Sequence, residues 1–200
     1  MTAEPPRIQP RNPDVATISA PAGEASIALA AQTGNDRRLA ELLMAGGDPD
    51  SRSLTGLTPC MLAATYGNLT CLAMLVGAGC GLEAKAGNDT TAAMWAGLGG
   101  QPKALALLVS ACCRLDTQNA AGMTAAMFAA AHGHGGCLSQ LIGAGCDLSI
   151  EDKQRLTAAD WAEANGHLEC LAMIHAEQER GAINASIETQ ATACSLAPRI

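Results

Sequence analysis

From residue 24 to residue 180 the apolar positions recur as a block instead of alternating. Thr58-Pro59-Cys60-Met61-Leu62-Ala63-Ala64 is followed 33 residues later by Thr91-Ala92-Ala93-Met94-Trp95-Ala96-Gly97. The same interval leads to Thr124-Ala125-Ala126-Met127-Phe128-Ala129-Ala130 and to Thr157-Ala158-Ala159-Asp160-Trp161-Ala162-Glu163. One step backward gives Ala25-Ser26-Ile27-Ala28-Leu29-Ala30-Ala31, so five copies share one register with no insertion or deletion. Gly34, Gly67, Gly100, Gly133 and Gly166 keep the same spacing. Self-similarity at this period is the mark of a solenoid built from one supersecondary unit.

Each copy predicts the same elements. The Thr is a good helix N-cap, because its hydroxyl can accept from an orphan amide of the first turn, and Pro59 falls at the tolerated first helical position. A short helix follows and stops at the recurring Gly, which can take the left-handed conformation of a helix end. A second helix is expected over about residues 69–75, 103–109, 138–142 and 168–174, and a projecting loop after it. A single unit of this kind cannot bury its own apolar face, so stability has to come from stacking. The position after the Met holds Leu29, Leu62, Trp95, Phe128 and Trp161. The reading puts these five in one line along the core, where Trp95→Ala would cost about 3–5 kcal/mol. Terminal repeats need polar outer faces. Asp36, Arg37, Arg38 and Glu41 supply one in the first copy, and residues 175–180 extend the last helix into solvent. The expected organisation is a repeat domain over 24–180, with units near 24–52, 53–85, 86–118, 119–151 and 152–180. A flexible Pro-rich segment precedes it over 1–23, and a flexible tail follows over 181–200.

Composition agrees with closely stacked helices. Hydrophobic residues make up 48% of the chain but aromatics only 2%, so the apolar content is mostly small side chains. The formal charge of −7 comes without a basic cluster, which argues against a nucleic-acid surface. Residues 1–23 carry five prolines and no apolar central region, unlike a signal peptide. The longest apolar stretch, near 104–113, is about half of the roughly 20 residues needed to cross a bilayer. The expectation is therefore an intracellular, cytoplasmic protein with no membrane insertion. Its nine cysteines are not a disulfide framework.

These motifs resemble ankyrin repeats, whose pattern is Thr-Pro-Leu-His-x-Ala followed by a Gly-His turn. Gly133-His134 and Gly166-His167 match the turn, and Gly67-Asn68 and Gly34-Asn35 come near it. One departure is systematic: the motif His is Met61, Met94 and Met127 here, and Asp160 in the last copy. In the family that His ties neighbouring loops together, so thioether packing is expected to replace some hydrogen bonding between repeats. The resemblance implies an all-α ankyrin-repeat solenoid.

Register also weighs the candidate chemistry. Cys71, Cys137 and Cys170 share one position and Cys80, Cys113 and Cys146 another. Residues of equal register lie about one repeat apart, too far for a disulfide or a shared tetrahedral zinc. These cysteines read as small buried hydrophobes, and Cys112 and Cys194 as the more reactive thiols. No catalytic triad, paired carboxylates, phosphate-binding loop or dinucleotide fingerprint is present, and no cofactor or metal is expected. The resemblance implies a non-catalytic scaffold or adaptor that holds a partner protein across the loop tips and the exposed ends of the first helices. The alternative is a regulatory subunit or inhibitor that occupies an enzyme, including substrate-receptor roles in ubiquitin ligation. Carried over by register, the contact positions are Leu54 and Leu57, Asn88 and Thr90, Gln118 and Met123, and Lys153 and Leu156 on the loops. Tyr66, Leu98 and His132 join them from the helix ends. Aromatics dominate binding hot spots, which makes Tyr66 the expected anchor, flanked by Leu57 and Leu98.

Overall fold

Helices alternate between two layers along the chain in the computed structural model, which describes the backbone of residues 24–195 and the side chains of 27–183. In order they are α1 (Glu24–Thr33), α2 (Asp36–Met44), α3 (Pro59–Tyr66), α4 (Leu69–Gly77), α5 (Ala92–Leu98), α6 (Pro102–Ser110), α7 (Ala125–Ala131), α8 (Gly135–Gly143), α9 (Ala158–Ala164) and α10 (Leu168–Ser195). The odd-numbered helices pack side by side in one layer and the even-numbered ones in the other. The expected N-terminal segment 1–23, the side chain of Cys194 and residues 196–200 lie outside the described residues.

The caps explain where the first helices begin. Thr58, Thr124 and Thr157 each accept from the backbone N–H three residues on, at 3.3–3.4 Å. At α9 the cap is reciprocal, since the Asp160 carboxylate accepts from both the amide and the hydroxyl of Thr157. Thr91 departs from the expectation: its buried hydroxyl has no partner and caps nothing. Gly67 ends α3 at φ 71°, as a left-handed cap requires.

Three expectations are corrected. Residue 181 does not begin a tail, because α10 stays helical to Ser195. One Gly inside a helix costs only about 1 kcal/mol relative to Ala, and the first proline after it is Pro198. The second helix of the fourth copy starts at Gly135, three residues before its first Leu. The line of five side chains is not a core line. Leu62 and Trp161 are buried, but Trp95 and Phe128 are only half-buried and Leu29 is 58% exposed. The core line lies one residue earlier, at Met61, Met94 and Met127, with 0–2% exposure. One residue is about 100° of helix rotation, enough to move a side chain from the packed interior to its rim. Leu29 has no described hairpin from a preceding repeat above it.

Hydrogen bonds between repeats do not depend on the missing motif His. The Asn68 amide donates to the carbonyls of Ala31 and Gln32, both at 2.8 Å. Two and three repeats further, His134 Nε2 donates to Leu98 O and His167 Nε2 to Ala131 O. At the opposite end of each unit a carboxylate reaches the next one. Asp50 accepts from Gly81 N–H, Glu83 from Arg114 N–H and Asp116 from Asp147 N–H, at 2.6–3.0 Å.

Candidate functional site

Each projecting loop folds back on itself as a tight hairpin. Ser53, Ala86, Asn119 and Asp152 donate their N–H groups to the carbonyls of Leu57, Thr90, Met123 and Leu156, at 2.9–3.0 Å. A left-handed residue recurs at each tip: Gly56, Asp89, Gly122 and Arg155. Neighbouring hairpins are stitched together by their backbones, with Ala120 N–H donating to Asn88 O and Lys153 N–H to Ala121 O. Side chains add to the seam. Arg52 reaches Lys85 O, and the Gln118 amide reaches both Gly122 O and Glu151 O. The hairpins and first helices thus form one continuous wall and floor.

The second hairpin stands apart from the others. Both Asn88 and Asp89 have positive φ, 63° and 59°, where the other tips have one such residue. Below them opens a cavity of about 210 Å³, lined by Gly87, Asn88, Thr90, Met94, Trp95, Leu98, Asn119 and Phe128. Its floor is apolar and its rim carries amides and a hydroxyl, with no ionised group. The Thr90 hydroxyl fixes one wall, donating to Gly87 O and accepting from the indole Nε1–H of Trp95, each at 3.1 Å.

The contact positions expected from register divide against this geometry. Asn88, Thr90 and Leu98 meet at the cavity. Leu54 is 64% exposed at the tip of its own hairpin, and Lys153 is exposed at another. Tyr66 is 43% exposed, and its phenol oxygen accepts from Gln32 Nε2 at 3.3 Å. Leu57 and Leu156 are half-buried against the core cluster, and the amide of Gln118 is already occupied by carbonyls. Met123 is corrected: at 5% exposure it is a core residue with no surface to offer. Its side chain follows the left-handed Gly122 and turns inward, where a one-residue register estimate could not place it.

His132 lies half-buried at the end of α7. Its ring stacks on that of His134 at 6.0 Å and 14°, and its Nδ1–H donates to Phe128 O. Burial pulls the His134 imidazole below its ordinary value, opposed by the bond to Leu98 O and assisted by the nearby His132 and His167. Among the described residues no three His, Cys, Asp or Glu side chains group in a way that could hold a metal. Nor is any described helix long and apolar enough to cross a membrane.

Trp95 and Phe128 are the cavity residues that the sequence reading sends to the core. A signal for them exists. Among the four register positions that carry a complete motif, Trp95 and Phe128 alone are flanked, within two residues on each side, only by Ala, Gly or Met. A large ring there has little lateral room inside.

Comparison with known proteins agrees with the repeat geometry. Matched one by one against curated proteins, the chain finds no counterpart. The family described as ankyrin repeats in three copies matches residues 27–119 and, in an overlapping window, residues 98–185. Together the two windows take in both layers of helices and all four hairpins, and on that coverage the chain belongs to the ankyrin-repeat family.

Proposed function

We propose that this chain is a non-catalytic interaction module that holds a partner protein in the groove between hairpins and first helices, centred on the Trp95–Phe128 cavity. Ankyrin repeats are in general protein–protein interaction modules. The observation that supports the finer placement is the cavity itself: an uncharged apolar recess with two half-buried aromatic walls, roofed by two consecutive left-handed residues. Strained backbone of this kind persists where surrounding structure over-determines it and clusters at ligand-binding positions. Half-buried aromatics in a recess are the usual seat of a hot spot. Tyr66, the anchor expected from sequence, lies one repeat away and serves the edge of the same groove in this reading.

A photoreactive side chain placed at Asn88, with a second placed at Met44 in the other layer, tests the proposal in native lysate. The expected result is one protein crosslinked from position 88, absent from position 44, and lost in a Leu98→Arg background. Equal capture from both positions, or capture that survives Leu98→Arg, would remove the cavity from the function. The uncharged rim also predicts binding that changes little between low and moderate salt.

A further inference from the structure

Ser53, Asn119 and Asp152 occupy one register position at the start of their hairpins, where the second hairpin has Ala86. Each accepts through a side-chain oxygen from the N–H four residues on, at 2.9–3.1 Å. Asn119 and Asp152 have a second terminal atom, and its fate differs. In Asp152 it is Oδ2, which takes the indole N–H of Trp161. In Asn119 the oxygen already holds the N–H groups of Ala121 and Met123, both at 2.9 Å, which fixes the amide and leaves Nδ2 as a donor. The residue in register with Trp161 is Phe128, whose ring carries no acceptor. Among the described residues nothing accepts from Asn119 Nδ2. Asn119 is half-buried and lines the Trp95–Phe128 cavity, so that donor is what it offers there.

We propose that Asn119 is the specificity residue of this cavity. Its Nδ2–H donates to a backbone carbonyl of an extended partner segment. The large neutral side chain beside that carbonyl, phenylalanine in preference to tyrosine, fills the recess over Trp95 and Phe128. The inference rests on the cavity being a partner contact and adds what the partner must bring to it.

Size, charge and hydrogen bonding select that occupant. At about 210 Å³ the cavity is smaller than the roughly 300–1,000 Å³ of small-molecule pockets, so it takes one side chain. No ionised group lines it, and a lysine or glutamate there would lose its hydration without gaining a partner. The one polar hydrogen of the floor, the Trp95 indole N–H, is already held by Thr90. A tyrosine hydroxyl on that floor is orphaned, which weakens binding about tenfold or more. A phenylalanine ring meets two aromatic walls and leaves nothing unpaired.

The test titrates the full chain, isotopically labelled on nitrogen, with N-acetyl-phenylalanine methylamide and with its tyrosine and lysine analogues. Each probe carries one side chain between two carbonyls. The phenylalanine probe should shift the NMR signals of the Trp95 indole N–H and the Asn119 amide and leave the buried Trp161 indole N–H in place. The tyrosine probe should bind about tenfold more weakly, and the lysine probe should shift neither signal. Asn119→Asp copies Asp152: it keeps the oxygen that shapes the turn and replaces the donor with an acceptor. Its thermal midpoint should stay near that of the wild type while affinity for the phenylalanine probe falls about tenfold. Unmoved Trp95 and Asn119 signals, equal affinity for the tyrosine probe, or full affinity in Asn119→Asp each overturn the proposal. Partner capture from position 88 without these shifts overturns this inference and leaves the proposed function standing. The shifts without capture remove the partner reading and not the pocket.

Discussion

Asp152 carries more of the last repeat than any residue of its kind. It is 6% exposed, and its carboxylate accepts three hydrogen bonds. Oδ1 takes the N–H groups of Gln154 and Leu156 at 2.8 and 3.0 Å, and Oδ2 takes the indole Nε1–H of the buried Trp161 at 3.0 Å. It thereby shapes the hairpin and anchors the largest side chain of α9 together. Removing the carboxylate leaves a buried indole N–H and two turn amides without an acceptor. Hydrogen bonds to charged groups contribute about 1.5–3 kcal/mol, and an orphaned buried donor costs about 1–3 kcal/mol. The three bonds are not additive, because the two turn amides can turn partly to water. Asp152→Ala should therefore cost about 3 kcal/mol. Asp152→Asn keeps one acceptor oxygen for the turn and presents an amide N–H₂ to the indole, so it should cost about 1–2 kcal/mol. Urea unfolding followed by circular dichroism and Trp fluorescence measures both. If Trp161→Phe is added, the indole has nothing to lose, and the Asp152→Asn cost should fall below about 0.5 kcal/mol. An Asp152→Ala cost under about 1 kcal/mol, or no coupling with Trp161, would refute the reasoning.

The hairpins and turns support three more predictions. Cys112 is exposed at φ 60°, where the equivalent residues are Gly46, Gly79 and Gly145. Relief of the left-handed penalty, less the entropy that Gly adds to the unfolded chain, should make Cys112→Gly more stable by about 0.5–1 kcal/mol in urea. Gly56→Ala and Gly122→Ala suffer the same backbone strain, but an added Cβ meets open space at Gly56 and lies 2.8 Å from Lys153 N at Gly122. The second should cost more by at least about 2 kcal/mol, as overpacking against backbone does, and equal midpoints would deny the close approach of the hairpins. His134 is held neutral by the fold, its value depressed below the ordinary 6.5. Its contribution is therefore intact above about pH 6.5 and is lost as the pH falls through the lower folded value. His134→Asn, which copies Asn68 and does not titrate, should lose less stability than the wild type between pH 7.5 and pH 5; parallel losses would count against this.

How far the chain could be read varies by feature. The helix starts were legible at Thr58, Thr124 and Thr157 because an N-cap is a contact between residues three apart. Thr91 looked identical and failed although its backbone, at φ −101° and ψ 170°, matches that of Thr124 and Thr157. Tip positions such as Asn88 followed from period alone. Their exposure did not: Met123 is separated from the exposed Ala121 by a single glycine whose φ turns the chain inward.

By itself the sequence determined the unit, its period and its number, because caps, glycine stops and apolar spacing are local and recur without slippage. It likewise determined that stacked neighbours must complete each core, since no copy has enough apolar surface alone. Only the tertiary structure decided which of two adjacent positions faces inward. A helix turns by about 100° per residue, and the depth of the neighbouring hairpin and helix sets whether that rotation ends in the core or in the groove. That difference buries the methionines and leaves Trp95 and Phe128 to line the cavity.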